Sequence, residues 1–375
     1  MKILQVLPAM QGGGVERGTI EIASFLAQKG VSNVVVSGGG RLTPELSKIG
    51  VKHIQLDVGS KNPFKWLKNI RTLRQIIKEE DISIVHVRSR IPAWIAHFAL
   101  KKCPDVKCLT IFHGKYGTRP EWFKIPYNRV MVSGDLVISI SNFISQHIKD
   151  TYKIAEDKIR LIYRGADMNK FDPVLVSSTQ IEDLTKEWQL PTDKPVILMP
   201  GRLSRMKGPL VVLEALALMK NKDVTCVFVG SAHGKEEYRQ ELKKRIDALD
   251  EKTNVLLLEH CNQMPTAYMV SDVVLSASLY PEAFGRTITE AQSMERIVIA
   301  SAHGGAMETI KDGQTGFLVP VGDAKALASV LDNVLDMSKE EKSKIGSAAA
   351  VSVAENFSVL QMCEKTFAVY QELDK

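Results

Sequence analysis

The amino-acid sequence predicts an α/β protein of two domains, each a parallel sheet with helices on both faces. Three observations carry this expectation. At 375 residues the chain is longer than one hydrophobic core usually supports. Short apolar runs alternate with helix-length segments at close spacing, the pattern of strands joined by helical crossovers. The alternation breaks over residues 164–195, at Gly165, Pro173, Ser177-Ser178-Thr179, Pro191 and Pro195, and then starts again. The expected division is residues 1–170 and residues 171–356, with a last helix over 357–375.

In the first part, residues 3–8 form an apolar run closed by Pro8 and read as a buried strand. As a secretion signal the run is too short, and Gln5 interrupts it. A helix is expected over 16–29, a strand over 31–37, a helix over 62–80, a strand over 82–88 and a helix over 92–101. Strands over 107–112 and 136–139 and a helix over 143–152 complete this part. The second part places buried strands at 196–199, 224–229, 254–258, 273–276 and 297–300, with helical stretches between them. Helices are expected at 323–337, 338–354 and 357–373.

A hydrophobic content of 45% with 25% charged residues is that of a soluble globular protein. No apolar run approaches the ~18 residues of a spanning helix. Cys103, Cys108, Cys226, Cys261 and Cys363 form no Cys-x-x-Cys pair and have no His at metal spacing. A reduced, cytoplasmic protein without a structural metal is therefore expected. The net charge of +6 divides unevenly. Residues 1–170 carry 27 Lys and Arg against 14 Asp and Glu, a balance of +13, while the remainder balances at −7. One domain is thus expected to face an anionic partner, such as a membrane surface or a phosphorylated glycolipid. Nucleic acid ranks last, because no helix-turn-helix, zinc-finger or RNA-recognition signature accompanies the charge.

Two segments carry the chemistry. Residues 201–208 read Gly-Arg-Leu-Ser-Arg-Met-Lys-Gly, residues 281–290 read Pro-Glu-Ala-Phe-Gly-Arg-Thr-Ile-Thr-Glu, and each follows an apolar strand. The carboxyl end of a parallel strand is where open α/β sheets bind ligands. Arg202 and Lys207 bring two cations to that edge, and Gly208-Pro209 opens the next helix with Pro at a favoured early position. Arg205, in the same loop, reads as solvated. Phe284-Gly285 gives a tight turn before a helix N-terminus. Glu282 and Glu290 lie a little over two helical turns apart. Cations and free backbone N–H groups suit a diphosphate, and carboxylates suit sugar hydroxyls. The combination reads as a nucleotide-sugar site. Taken singly, Arg202 and Lys207 are ordinary surface cations, Glu290 a solvated helix position, and Glu282 an acid favoured by the helix dipole.

The glycines after the first strand, Gly12-Gly13-Gly14, match no standard nucleotide loop. Counting from Gly12, the third position of a dinucleotide fingerprint is Arg17. The second strand ends in Ser37-Gly38-Gly39-Gly40, without an acid for a ribose. A P-loop fails because Gly18 is followed by Thr19 and not Lys. Gly12 reads either as a turn residue or as part of the site. Gly13 and Gly14 read as N–H donors to a diphosphate. His113 ends a strand ahead of Gly114 and reads as a sugar contact, not a general base.

The pattern Gly-Arg-Leu-x-x-x-Lys-Gly at 201–208, followed by Pro-Glu-x-Phe-Gly at 281–285 and by Glu290, resembles the retaining glycosyltransferases of family 4. Gly13-Gly14-x-Glu16, His113-Gly114, Ile140-Ser141 and Gly304-Gly305 extend the resemblance over nearly the whole chain. It implies the GT-B architecture, two Rossmann-like domains facing across a cleft. The amino-terminal domain, joined by the last helix, would bind the acceptor and the carboxy-terminal domain the nucleotide sugar. The resemblance further implies that Glu290 meets ribose hydroxyls and Glu282 the hydroxyls of the transferred sugar. Phe284 and Gly285 would turn backbone N–H groups to the phosphates. Retaining chemistry in this family has no agreed protein nucleophile, and none is evident here. No Asp-x-Asp occurs in the sequence, which fits a leaving diphosphate held by cations without a metal.

The expected reaction moves a sugar from a UDP- or GDP-linked donor to an envelope glycolipid or polysaccharide, such as a lipopolysaccharide core. It needs no cofactor and takes place on the cytoplasmic face. A sugar-nucleotide epimerase, a sugar phosphorylase and a non-catalytic nucleotide-sugar binder are the alternatives. The first releases a rearranged sugar and the second needs free phosphate. The third is disfavoured by the two glutamates. Two basic–aromatic stretches, 61–74 and 115–129, read singly as solvated surface. With the basic balance they read as reversible docking on an anionic membrane. Arg88 and Arg90 are expected at a strand end, facing an acidic acceptor.

Overall fold

The computed structural model describes residues 1–232, 234 and 236–375. They fall into two units, Met1–Tyr163 with Leu360–Lys375, and Arg164–Val359. In the first unit β1 (Ile3–Val6), β2 (Asn33–Ser37), β3 (Lys52–Gln55), β4 (Ile84–Val87), β5 (Lys107–Phe112), β6 (Leu136–Ser139) and β7 (Ile159–Leu161) form one parallel sheet. Its strand order is β3-β2-β1-β4-β5-β6-β7. In the second unit β8 (Val196–Pro200), β9 (Thr225–Val229), β10 (Asn254–Leu258), β11 (Val273–Ser276), β12 (Ile297–Ser301) and β13 (Phe317–Val319) form another parallel sheet. Its order is β10-β9-β8-β11-β12-β13.

Each order reverses once, between β1 and β4 and between β8 and β11. At such a reversal the following helices leave towards opposite faces, and a crevice opens at the carboxyl ends of the two strands. Both 201–208 and 277–285 lie at the second of these crevices. The glycines at 12–14 lie at the first. Topology thus brings together segments that are some eighty residues apart in the chain.

Most of the strands legible in the sequence are covered on both faces, while the edge strand β10 was legible although only half-buried. β1, β2, β4, β8, β9 and β12 are buried along their whole length and mainly apolar, with single polar residues such as Gln5 and His86 within them. β3 and β7 carry no such apolar run, and that of β13 is only the three residues Phe317-Leu318-Val319. They are short and partly exposed, and each ends or borders a sheet edge. The stretch expected to be irregular after residue 164 contains a helix, Ser178–Glu187. Its Ser-Ser-Thr run is a start signal and not a breaker: Ser177 and Gln180 form a reciprocal capping box. Likewise Asn62 and Ser338 cap the helices Pro63–Glu79 and Lys339–Asn356, just ahead of their first turns.

The last helix, Val359–Leu373, is anchored in the amino-terminal unit. Arg160 grips Glu372 with two guanidinium nitrogens. Buried Tyr370 meets His86 Nδ1 of β4 at 2.7 Å. Arg88 corrects an expectation. It is only 2% exposed and donates to Gln5 Oε1 at 2.6 Å, so it belongs to the interior and not to an acceptor surface. Arg90 is also engaged, with its guanidinium over the Tyr116 ring and a hydrogen bond to Asn128 Oδ1.

Candidate functional site

The carboxy-terminal site is built by two loops that a glycine lets touch. Gly208 has φ +76°, and a Cβ there would stand 2.0 Å from the Ala277 carbonyl oxygen. Without a side chain, the loop after β8 closes onto the end of β11, and Leu279 N–H donates to Met206 O at 2.8 Å. That closure sets Lys207 Nζ 2.7 Å from Glu282 Oε1. Ser278 Oγ donates to the same oxygen at 2.6 Å, and Ser276 Oγ lies 3.4 Å away. Burial alone would raise the Glu282 carboxyl. The Lys207 charge and the hydrogen bonds from Lys207, Ser278 and Ser276 outweigh it and hold the group below the ordinary carboxylate range.

Arg202 is exposed in the same loop and makes no ion pair among the described residues. Arg205 is exposed, in keeping with the solvated reading, and it also pairs with Glu241 and lies over the Tyr238 ring. Its contacts fasten the loop to the helix Glu236–Ile246.

Gly285, at φ +91°, turns the chain into the helix Arg286–Ser293. The Phe284 ring is buried, edge-on to Phe357. Gly305 supports the turn from beneath. Its N–H donates to Glu282 O at 2.9 Å, and a Cβ there would stand 2.4 Å from Phe284 Cα. Glu290, one turn into the helix, lies 3.6 Å from Arg286 Nε and accepts from the Tyr268 hydroxyl at 3.2 Å. Thus Lys207 and Ser278 meet Glu282, while Tyr268 and Arg286 meet Glu290. Sequence reasoning passed over Tyr268 and Ser278. Tyr268 sits in a six-residue helix too short to show a period.

In the amino-terminal unit, Gly13 N-caps the helix Gly14–Gln28 and is exposed after β1. His113 follows β5, half-buried. Both stand at carboxyl strand ends of one sheet, with β4 between β1 and β5. A cavity of about 220 Å³ lined by His97, Lys101, Cys108 and Ser133 lies elsewhere, against the amino-terminal half of β5. Among the described residues no group of His, Cys, Asp and Glu is placed to hold a metal ion, and no helix is long and apolar enough to cross a membrane.

Two family models match the chain: Glycosyltransferase Family 4 over residues 12–170 and Glycosyl transferases group 1 over residues 180–351. A glycosyltransferase from Rickettsia africae ESF-5, known from its crystal structure, is 40% identical with a TM-score of 0.91. That match covers 100% of this chain and 98% of the other. Anabaena HepE in complex with UDP-glucose shares the fold at 23% identity and a TM-score of 0.83, over 99% and 100% of the two chains. Spore coat protein SA of Bacillus subtilis (strain 168) is 24% identical over 98% of this chain and 96% of its own length. With family models matched in both halves and a glycosyltransferase aligned end to end, the chain belongs to the family 4 glycosyltransferases, glycosyl transferases group 1, of GT-B fold.

Proposed function

We propose that this glycosyltransferase moves a sugar, with retention at the anomeric carbon, from a nucleoside-diphosphate donor to a cell-envelope glycolipid or polysaccharide, such as a lipopolysaccharide core. The observation that carries the reading is the Lys207–Glu282 contact of 2.7 Å at the β8–β11 crevice. A cation suited to phosphate and a carboxylate suited to sugar hydroxyls are held side by side there. The carboxy-terminal unit binds the nucleotide sugar and the amino-terminal unit the acceptor. Arg202 and Lys207 take the diphosphate, helped by the backbone of Phe284 and Gly285. Glu290 takes the ribose, and Glu282 the transferred sugar. In the amino-terminal unit, Gly13 and Gly14 are assigned to phosphate and His113 to sugar.

Departure of the diphosphate leaves negative charge on its oxygen, and fixed cations stabilise that charge without reorganising. Activity in the absence of added metal is therefore expected. UDP leads GDP as the donor nucleotide, because HepE was solved with UDP-glucose. The test is slow hydrolysis of a panel of nucleotide sugars by the purified protein, with the anomer of the transferred sugar read by NMR. A rearranged sugar or a requirement for free phosphate would replace transfer with epimerase or phosphorylase chemistry. Activity lost in EDTA and restored by magnesium would refute the metal-free mechanism.

The acceptor side of the proposal places the amino-terminal unit on an anionic membrane at the inner face of the envelope. The helix Pro63–Glu79 buries Asn69, Leu73, Ile76 and Ile77. Phe64, Leu67, Lys68 and Arg71 fall on another stripe by their spacing of three and four. Phe64 is 88% and Leu67 66% exposed, and Lys68 and Arg71 are exposed beside them. Trp122, on the helix Glu121–Asn128, is 80% exposed. Lys65 is already paired with Asp57, and Arg74 donates to the backbone of Ala99, so neither is the best candidate for lipid. Each cation near an anionic surface contributes ~1 kcal/mol, attenuated over a Debye length. Co-sedimentation should require acidic vesicles and weaken with salt. Lys68→Gln with Arg71→Gln should weaken it by roughly tenfold without changing nucleotide affinity. Equal binding to neutral and acidic vesicles, or to neither, would point to a water-soluble acceptor.

A further inference from the structure

We infer that Tyr268 is a positioning residue for nucleotide binding: its hydroxyl fixes the Glu290 carboxylate in the orientation that receives the ribose. This rests on the ribose role proposed above for Glu290. Tyr268 is fully buried on the helix Met264–Met269, its ring packed against Phe171 at 6.0 Å between centroids. From there its hydroxyl donates to Glu290 Oε2 at 3.2 Å. The other oxygen, Oε1, lies 3.6 Å from Arg286 Nε, and the Glu290 side chain retains 16% exposure. One oxygen is thus secured from inside the fold while the group still reaches the surface.

A carboxylate has roughly four acceptor sites, of which the tyrosine hydroxyl takes one. A free Glu side chain loses rotamer freedom when it binds, and a carboxylate already held has less to lose. Burial and the Glu290 charge both push the Tyr268 hydroxyl well above its ordinary range, which keeps it a donor at every working pH. A buried hydroxyl aimed at a partly exposed carboxylate is the arrangement that supports a binding group from behind.

The experiment compares Tyr268→Phe, which retains the packed ring, with Glu290→Ala and the unaltered protein. Calorimetry uses UDP and GDP, each with its 2′,3′-dideoxy counterpart, and follows whichever base the unaltered protein binds. Tyr268→Phe should weaken the ribose form roughly five- to twentyfold and the dideoxy form by less than about twofold. Glu290→Ala should show the same selectivity with a larger loss on the ribose form. Equal losses for both forms in Tyr268→Phe, beside a ribose-selective Glu290→Ala, would overturn positioning by Tyr268 and leave the Glu290 role intact. A Glu290→Ala loss that ignores the ribose hydroxyls would remove that role and the inference with it. Unchanged affinities in Tyr268→Phe would also overturn it.

Discussion

Lys207→Ala is expected to weaken binding of the nucleoside diphosphate by about 1.5–3 kcal/mol, the scale of a hydrogen bond to a charged group. In affinity this is roughly a ten- to hundredfold loss. Arg202→Ala should fall in the same range with less cost to stability, because Arg202 is exposed and makes no ion pair among the described residues. Lys207 differs, since its removal leaves Glu282 part-buried without its cation. Lys207→Ala should therefore lower the melting temperature of the free protein as well, whereas Arg202→Ala should not. Both losses should shrink as salt rises. Calorimetry with the diphosphate alone decides the matter. Unchanged affinity in both variants would mean that the phosphates are held elsewhere.

The parts of this site that could be read from the sequence were those whose chemistry is local. Arg202, Lys207, Glu282 and Glu290 stand in short motifs next to apolar runs, and apolar runs covered on both faces are the most legible strands. What escaped depended on distant contacts. Nothing near Tyr268 in the chain indicates that its hydroxyl meets a residue 22 positions later. The role of Gly208 depends on the carbonyl of Ala277, which only the strand order brings near. Arg88 was misread for the same reason: the sequence shows a cation after a strand but not the Gln5 side chain that receives it. Edge strands such as β3 and β7 were missed because partial exposure removes the apolar run that would announce them.

Replacing Glu282 is expected to separate binding from turnover. In the free protein its carboxylate holds Lys207 and accepts from Ser278, so on the proposed assignment the diphosphate and the carboxylate would compete for one ammonium group. Glu282→Gln removes the charge while keeping the shape. Lys207 is then released to the phosphates, and affinity for the diphosphate alone should stay level or rise. Turnover of the nucleotide sugar should fall on the order of 10²-fold, because the neutral amide is a weaker acceptor for the sugar hydroxyls. The stability profile supplies an independent reading. A carboxylate held below its ordinary range stabilises the fold above its unfolded titration, and that stability is lost as pH falls through its folded one. Glu282→Gln should remove this acid-side component. If Glu282→Gln instead weakened the diphosphate as much as Lys207→Ala, the carboxylate would be holding the lysine in place for the phosphates. Its assignment to the transferred sugar would then fail.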